Sequence, residues 1–453
     1  MDTQPLIDDD LKSGLMASIA GNGLVMLCGA GLSMAPPSSI SSAWKVAQHC
    51  ATRYREMTGR DLPDGLADNI ELMAEHFYGR NELEHVLLKQ LIDWSEFVRR
   101  PPNKGHVAVA DFLGAGVCSL VLSTNLDTMI ESAATSLGEP DIFPLVFEND
   151  LNLRQPHAPL LKIHGCAVRS RFESLWCKEQ LKRGPLKKRL PALVGWMQHY
   201  IPNRDLLIVG FWTDWSYLNK VLEQAVVSTE PRSVIVVDPS TSEALEAKSP
   251  EIWKWAQKRT AFKHVQLSGD AFLDELRSIV SNHHIWRAWQ KGRAIYKNMM
   301  GREPPADPIT LLAALSTDEL YQLRRDLTGV TSSSVVRKKD ADDSQALLGV
   351  LQLALGVAGA VLRSHLFEWN GKSIRLVNTP NRPMSAVRKQ FSTEPPDPAP
   401  SQRTVCVGAI DDGGVPENII GRGAPQAIIR NACSQSWETH VGILTELQSG
   451  DAL

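Results

Sequence analysis

Apolar positions in the first part of the chain fall in short, nearly unbroken runs, and each run stops at a glycine or polar cluster. Residues 24–28 lead into Gly29-Ala30-Gly31-Leu32-Ser33, and residues 117–122 into Ser123-Thr124-Asn125-Leu126-Asp127. Residues 160–163 lead into His164-Gly165, 206–209 into Gly210, and 234–237 into Asp238-Pro239. Runs of this kind suit parallel strands buried on both faces. Helical patterns lie between them, at residues 106–113, 128–136 and 218–227. The alternation predicts an α/β fold: a Rossmann-like, doubly wound parallel sheet, in which ligands bind outside the carboxyl ends of the strands. All five clusters are expected at that edge.

Two stretches interrupt the rhythm. Residues 44–101 read as a helical insertion, and 167–200 as a basic one with Lys178, Lys182, Arg183, Lys187, Lys188 and Arg189. The basic stretch reads as a solvated helix face in preference to a nucleic-acid contact. The regular pattern ends near Trp286. A further helical region is expected from Asp307, with Leu311, Leu312, Leu315, Leu320, Leu323 and Leu327 recurring on its faces. Residues 348–362 read as one buried apolar helix, 392–402 as a proline-rich loop or linker, and 404–410 as one more strand. The expected domains are therefore 1–295, a catalytic unit with helical insertions, and 296–453, a mixed C-terminal unit.

Length and composition narrow the class. The chain has 453 residues, more than one ordinary core requires, so two or more packed units are expected. Hydrophobic residues make up 43% and charged residues 22%, ordinary for a folded globular protein. A formal net charge of -3 gives no overall attraction to nucleic acid or to an anionic membrane, so neither is expected as a partner. The first fifteen positions carry four Asp and one Lys, the opposite of an export signal. Cys28, Cys50, Cys118, Cys166, Cys177, Cys406 and Cys433 form no CxxC pair, and they read as reduced thiols of a cytoplasmic protein.

Taken singly, the clusters have ordinary readings. A Gly-x-Gly turn lets a backbone approach a phosphate, and it also simply connects elements. Asn125 with Asp127 suits a turn that bonds its own backbone, His164 a structural histidine, and Gly421-Arg422-Gly423 a simple loop or a second phosphate turn. His106, at a helix start, and the adjacent His283 and His284 read as structural. Trp212 and Trp215 could wall the crevice or fill a core.

Taken in order, Gly29-Ala30-Gly31-Leu32-Ser33, Ser123-Thr124-Asn125-Leu126-Asp127 and Lys162-Ile163-His164-Gly165 resemble the sirtuin signature of Gly-Ala-Gly-x-Ser, Thr-Gln-Asn-Ile-Asp and His-Gly. The resemblance spans roughly residues 14–290 and implies a SIR2-like domain with NAD as its substrate. It implies that Gly29, Ala30, Gly31 and Ser33 cradle the NAD phosphates and that Asp127 holds the nicotinamide carboxamide. Asn125 would orient the ribose and the attacking group, and His164 would take a proton. Gly210 and Asp238 fill the family's later strand-end places, with Asp238 on the adenosine ribose. Breaking the nicotinamide bond leaves an oxocarbenium-like ribose, which calls for a base and fixed dipoles.

The chain departs from the sirtuin pattern in three places. Only Cys166 and Cys177 stand where deacylases carry two CxxC pairs, so no structural zinc or other metal is expected. Thr124 replaces the family glutamine, and Pro36-Pro37-Ser38-Ser39 replaces Gly-Ile-Pro-Phe-Arg. In these respects the chain is similar to the SIR2-like NAD-degrading effectors of bacterial anti-phage defence. The implied activity is an NAD glycohydrolase giving nicotinamide and ADP-ribose. The alternatives are an NAD-dependent protein deacylase and a non-catalytic NAD-sensing module. An enzyme of this kind must be held in check, so a homo-oligomer or a protein partner such as a defence ATPase is expected at the C-terminal unit.

Overall fold

The computed structural model describes residues 6–449 apart from 154, 156, 183–185, 213–229, 306–311, 313, 329–341, 392–400 and 412–435. The helical pattern at 218–227, Leu311, Trp215, Cys433, the Gly421-Arg422-Gly423 turn and most of the 392–402 linker fall outside the described residues. It divides into two compact units, 1–274 and 275–453.

The first unit is built on seven parallel strands. These are β1 (Leu24–Cys28), β2 (Leu120–Ser123), β3 (Pro144–Leu145), β4 (Leu160–Lys162), β5 (Asp205–Val209), β6 (Ser233–Val237) and β7 (Ala261–Val265). Their order is β3-β4-β2-β1-β5-β6-β7. All of β1 and β5 is buried, as the unbroken apolar runs predict. Burying each such side chain contributes roughly 1.5–3 kcal/mol. The chain first builds outward from β1 through β2 to β4 and β3, then returns to the other side of β1 for β5. The crevice at the carboxyl ends of β1 and β5 is thus the topological switch point of the sheet.

The insertion between β1 and β2 is helical, as expected: Ala43–Thr58, Ile70–Gly79, Leu83–Leu91 and Trp94–Val98. It has its own core of Val46, Phe77, Leu87, Leu88 and Trp94, among others. The helix before β2, Lys104–Ala115, starts at a capping box. The Asn103 side chain accepts from the His106 amide at 3.1 Å, and the Asn103 amide donates to His106 Nδ1 at 3.2 Å. Histidine here takes the place usually held by Glu or Gln.

The helix Gly269–Met300 follows β7 directly, and the division between the units falls inside it, between Asp274 and Glu275. The sequence pattern places the division after residue 295.

The second unit carries a mixed five-stranded sheet ordered β12-β11-β10-β9-β8. Its strands are β8 (Val361–Arg363), β9 (Leu366–Trp369), β10 (Lys372–Asn378), β11 (Arg403–Val407) and β12 (Ser436–Thr439). Strands β8 to β10 are antiparallel neighbours, and β10 to β12 are parallel. Asn370 and Gly371 link β9 to β10 with φ of 48° and 71°, the two-residue turn that Asn-Gly favours.

One expectation is corrected here. Residues 348–362 are not one helix: the helix Asp342–Val357 closes where the Ala360 amide bonds the Leu355 carbonyl across Gly359 at φ 82°. A left-handed glycine ends the helix, and residues 361–363 enter the sheet as β8 with only Leu362 buried. The helix Thr317–Thr328 carries Leu320, Leu323 and Leu327, all buried, and Leu312 is buried before it, while Asp307, like Leu311, lies outside the described residues. The apolar face of 348–355 packs into the second unit's own core, on Trp289, Tyr296 and Ile374, among others.

Among the described residues no helix is long and apolar enough to cross a membrane. The six described cysteines are free and buried.

Candidate active site

Each strand-end residue singled out in the sequence lies at the carboxyl edge of the first sheet. Gly29 follows β1, Asn125 and Asp127 follow β2, His164 follows β4, Gly210 follows β5, and Asp238 follows β6. Strand register sets two of them level. Ser123 pairs with Lys162, so Asn125 and His164 both stand two residues past a paired position on adjacent strands.

The glycines are required by closeness. A Cβ on Gly29 would lie 2.6 Å from Phe211 Cα, one on Gly31 2.8 Å from the Gly210 carbonyl oxygen, and one on Gly210 2.5 Å from the Leu32 nitrogen. These are backbone atoms with no rotamer to yield. Gly210 also sits at φ 58°. The Gly29 amide bonds Val209 O at 3.0 Å, Gly31 bonds Gly210 O at 2.8 Å, Leu32 bonds Gly29 O at 3.0 Å, and Ser33 bonds Ala30 O at 3.0 Å. Ala30 and Gly31 form the exposed crest of the turn.

Ser33, 2% exposed, is the hub beneath that crest. Its hydroxyl donates to Asp127 Oδ2 at 2.8 Å and accepts from Asn125 Nδ2 at 3.0 Å. The His106 ring completes it, with Nε2 at 3.0 Å. Because His106 Nδ1 accepts the Asn103 amide, the network assigns the proton to Nε2, which donates to Ser33. Burial, partly offset by Asp127, pulls His106 down to about 4, so the ring is neutral at pH 7. Asp127 Oδ1 accepts from the Met129 amide at 3.1 Å, the local turn bond open to an Asx residue. Lys162, 1% exposed, donates to the Asp127 carbonyl and to Glu131 Oε1, the latter at 2.6 Å. It thereby pins the loop between β2 and the next helix.

Asn125 stands between this network and the crevice. Its Nδ2 also donates to the Gly29 carbonyl at 3.1 Å. Its Oδ1 is buried and meets no hydrogen-bond donor among the described residues. An unmet buried acceptor of this kind is costly to keep unless a ligand meets it.

His164 is 6% exposed, and its ring is bonded to the Thr124 backbone. Burial, and then the positive charge of Arg189, lower it to about 4. It is therefore neutral at pH 7 and in the form that accepts a proton. Gly165, at φ 111°, lets the following segment close over the strand end, with the Leu175 amide donating to the His164 carbonyl at 2.8 Å. Asp238 is half-buried, and its Oδ1 accepts from the Ser240 amide at 2.9 Å. Trp212 fills the core, donating to the Leu245 carbonyl at 2.6 Å. Among the described residues no group of three His, Cys, Asp or Glu side chains could hold a metal.

Sequence reasoning read His106 only as structural and Arg189 as part of a solvated basic face, and it gave Lys162 no role. The role of His106 is foreshadowed by its three-residue spacing from Asn103, and that of Lys162 by its place just before Ile163-His164. Nothing in the sequence separates Arg189 from its basic neighbours.

A doubly wound parallel sheet with glycine turns and an incompletely bonded polar cluster at its switch point defines a Rossmann-like ligand-binding domain. Residues 119–261 match the family model described as a SIR2-like domain. The match takes in Asn125, Asp127, His164, Gly210 and Asp238 and leaves out the 29–33 turn. Similar solved structures include "The Structural basis of Sirtuin Substrate Affinity", at 14% identity and a TM-score of 0.33, covering 59% of this chain and 97% of that one. Another is "Sir2 bound to acetylated peptide", at 14% identity and a TM-score of 0.32, covering 58% of this chain and 94% of that one. No curated protein matches the chain.

Proposed function

We propose that the first unit binds NAD and hydrolyses its nicotinamide-ribose bond. The observation that carries this reading is Asn125 Oδ1, a buried acceptor with no donor among the described residues, level with His164 on the neighbouring strand at the carboxyl edge of the sheet, within the stretch that matches the SIR2-like family model. A ribose hydroxyl or the attacking water supplies the missing donor. The close-packed turn of Gly29, Ala30 and Gly31 against Gly210 gives the dinucleotide a surface free of side chains. Ser33 acts from below by fixing Asn125 and Asp127. Asp127 is assigned to the nicotinamide carboxamide and Asp238 to the adenosine ribose.

His164 is neutral and takes a proton from the attacking water or from a ribose hydroxyl. The water oxygen bonds the ribose carbon, the carbon–nitrogen bond breaks, and its electron pair leaves with nicotinamide. The second product is ADP-ribose. A fixed Asn dipole and a positioned base each supply roughly 10² or more in such a step.

The deciding experiment incubates the whole chain with NAD, with and without an acyl-lysine peptide, and separates the products. Free ADP-ribose formed without peptide supports the proposal. NAD consumption that requires peptide, one for one, replaces it with deacylation, and binding without turnover leaves an NAD sensor. Elemental analysis belongs beside it, since a stoichiometric zinc would favour the deacylase.

Following the resemblance, the proposed biological use is depletion of cytoplasmic NAD in anti-phage defence. Unchecked cleavage would kill the cell that makes it, which supports a controlling role for the second unit through self-assembly or a protein partner such as an ATPase. Molecular mass and NAD turnover measured against chain concentration test that role. Turnover per chain that is flat across a change of mass removes assembly as the control.

A further inference from the structure

Arg189 lies on the helix Leu186–Tyr200, in the stretch that sequence alone reads as solvated. Lys187 and Lys188 are exposed there, as expected, but Arg189 is only 3% exposed. Its Nη1 donates to the Glu173 carbonyl at 3.0 Å. Its Nε and Nη2 are buried and meet no acceptor among the described residues. Those two nitrogens form one edge of the guanidinium, with parallel N–H bonds that match two oxygens of a phosphate or carboxylate. The partner it has is a neutral carbonyl, and burial outweighs the pull of Glu173, drawing Arg189 down to about 10. A guanidinium held in this way is strongly unfavourable unless an anion meets it.

The same segment fixes where that edge lies. Glu173 holds Arg189 through its carbonyl, and Leu175, two residues on, donates its amide to the His164 carbonyl at 2.8 Å. Between them, Ser174 Cα comes 3.2 Å from where a Cβ on Gly165 would stand. Arg189 is thus carried against the His164-Gly165 corner, close enough for its charge to act on the His164 ring. Across the crevice the amides of Gly29, Gly31, Leu32 and Ser33 are all bonded within the protein. Those four amides therefore offer no free N–H to a phosphate entering this crevice.

We propose that Arg189 is the oxyanion-binding residue of this crevice, its Nε and Nη2 forming a two-pronged seat for a phosphate group. The phosphate is carried by the dinucleotide or arrives as a separate ligand. Only the first source rests on the NAD reading above.

Calorimetric titration of the whole chain with ADP-ribose, inorganic phosphate and phosphate-free adenosine tests the seat. It is run on the wild type, Arg189→Lys and Arg189→Gln. Losing a charge-assisted fork should weaken binding of the phosphate-bearing probe roughly 10- to 100-fold in Arg189→Gln. Arg189→Lys, which keeps the charge without the fork, should fall between, and adenosine should be unaffected. Loss confined to ADP-ribose identifies the dinucleotide as the source. Phosphate that binds alongside saturating ADP-ribose, and is alone weakened, identifies a separate ligand.

A folded Arg189→Gln with unchanged affinity for both phosphate probes overturns the proposal. So does a loss that extends equally to adenosine, the mark of a purely structural arginine. Should the variants fail to fold, the wild-type thermal midpoint decides. It should rise in phosphate, or with ADP-ribose, over chloride at equal ionic strength, and no rise with either overturns the seat. Because every arm reads binding, a chain that holds ADP-ribose through Arg189 yet never cleaves NAD refutes the glycohydrolase and keeps the seat.

Discussion

At the ends of β1 and β2, three buried side chains meet one another's needs: Ser33 bonds Asp127 and His106, and His106 is held in turn by Asn103, while Ser33 also accepts from Asn125. At the end of β4, His164 and Arg189 are just as buried, yet among the described residues Arg189 keeps two unmet donors, as Asn125 keeps one unmet acceptor where the flanks adjoin. Both histidines are drawn down to about 4, so protonation state does not tell the flanks apart. Completeness does. A buried network whose bonds close on themselves is scaffold, and one that stops short is shaped for something that arrives.

The largest effect that would break this comparison is catalytic. Asn125→Ala and His164→Ala should each lower NAD cleavage by roughly 10²-fold or more. His106→Gln, on the closed flank, should lose less turnover than stability. A folded His164→Ala with wild-type turnover would move the chemistry elsewhere.

Next in size is an acid sensitivity shared by both flanks. The ordinary value of 6.5 for His106 and His164 drops to about 4 in the folded chain. The unfolded chain therefore binds protons that the native rings refuse. The stability due to the neutral rings is complete above pH 6.5 and is lost as the pH falls toward 4. Each contributes about 3 kcal/mol at roughly 1.4 kcal/mol per pH unit. Urea unfolding at pH 7.5 and pH 5 measures it, and a midpoint that does not move would show that these rings are not buried as neutral groups.

Ser33→Ala should cost roughly 1–3 kcal/mol, because it leaves Asp127, Asn125 and His106 each one partner short. A cost near zero in a denaturant titration would mean that the hub is dispensable and the closed flank is not one network.

The smallest effect is a control. Lys187→Ala and Lys188→Ala should change stability by under about 0.5 kcal/mol and leave ADP-ribose affinity alone. If either matched Arg189→Gln, diffuse charge in place of a built seat would explain binding.

The central strands were legible because burial on both faces leaves a mark that a single residue type carries: β1, β2, β4, β5 and β6 are apolar runs. The edges were not. β3 is two residues long, and β7, with Lys263 and His264 in Ala261–Val265, is only half-buried and lacks an apolar run. The β9–β10 hairpin did have a local sign, Asn370-Gly371 between apolar stretches, but the expectation for that region stopped at the apolar segment before it. Of the candidate site, strand-end polar residues were legible because the fold places them. The burial of Arg189 was not, since it depends on a carbonyl sixteen residues upstream in a segment without periodicity.

The buried thiols lend the molecule two built-in clocks. Burial pushes Cys28, at the end of β1, and Cys406, in β11, both up to about 12, so neither offers a thiolate to an alkylating reagent while its sheet is closed. Each becomes reactive only when its own unit opens. Mass-resolved labelling of the two cysteines would therefore time the breathing of the parallel sheet and of the mixed sheet separately, in one tube, without any foreign probe.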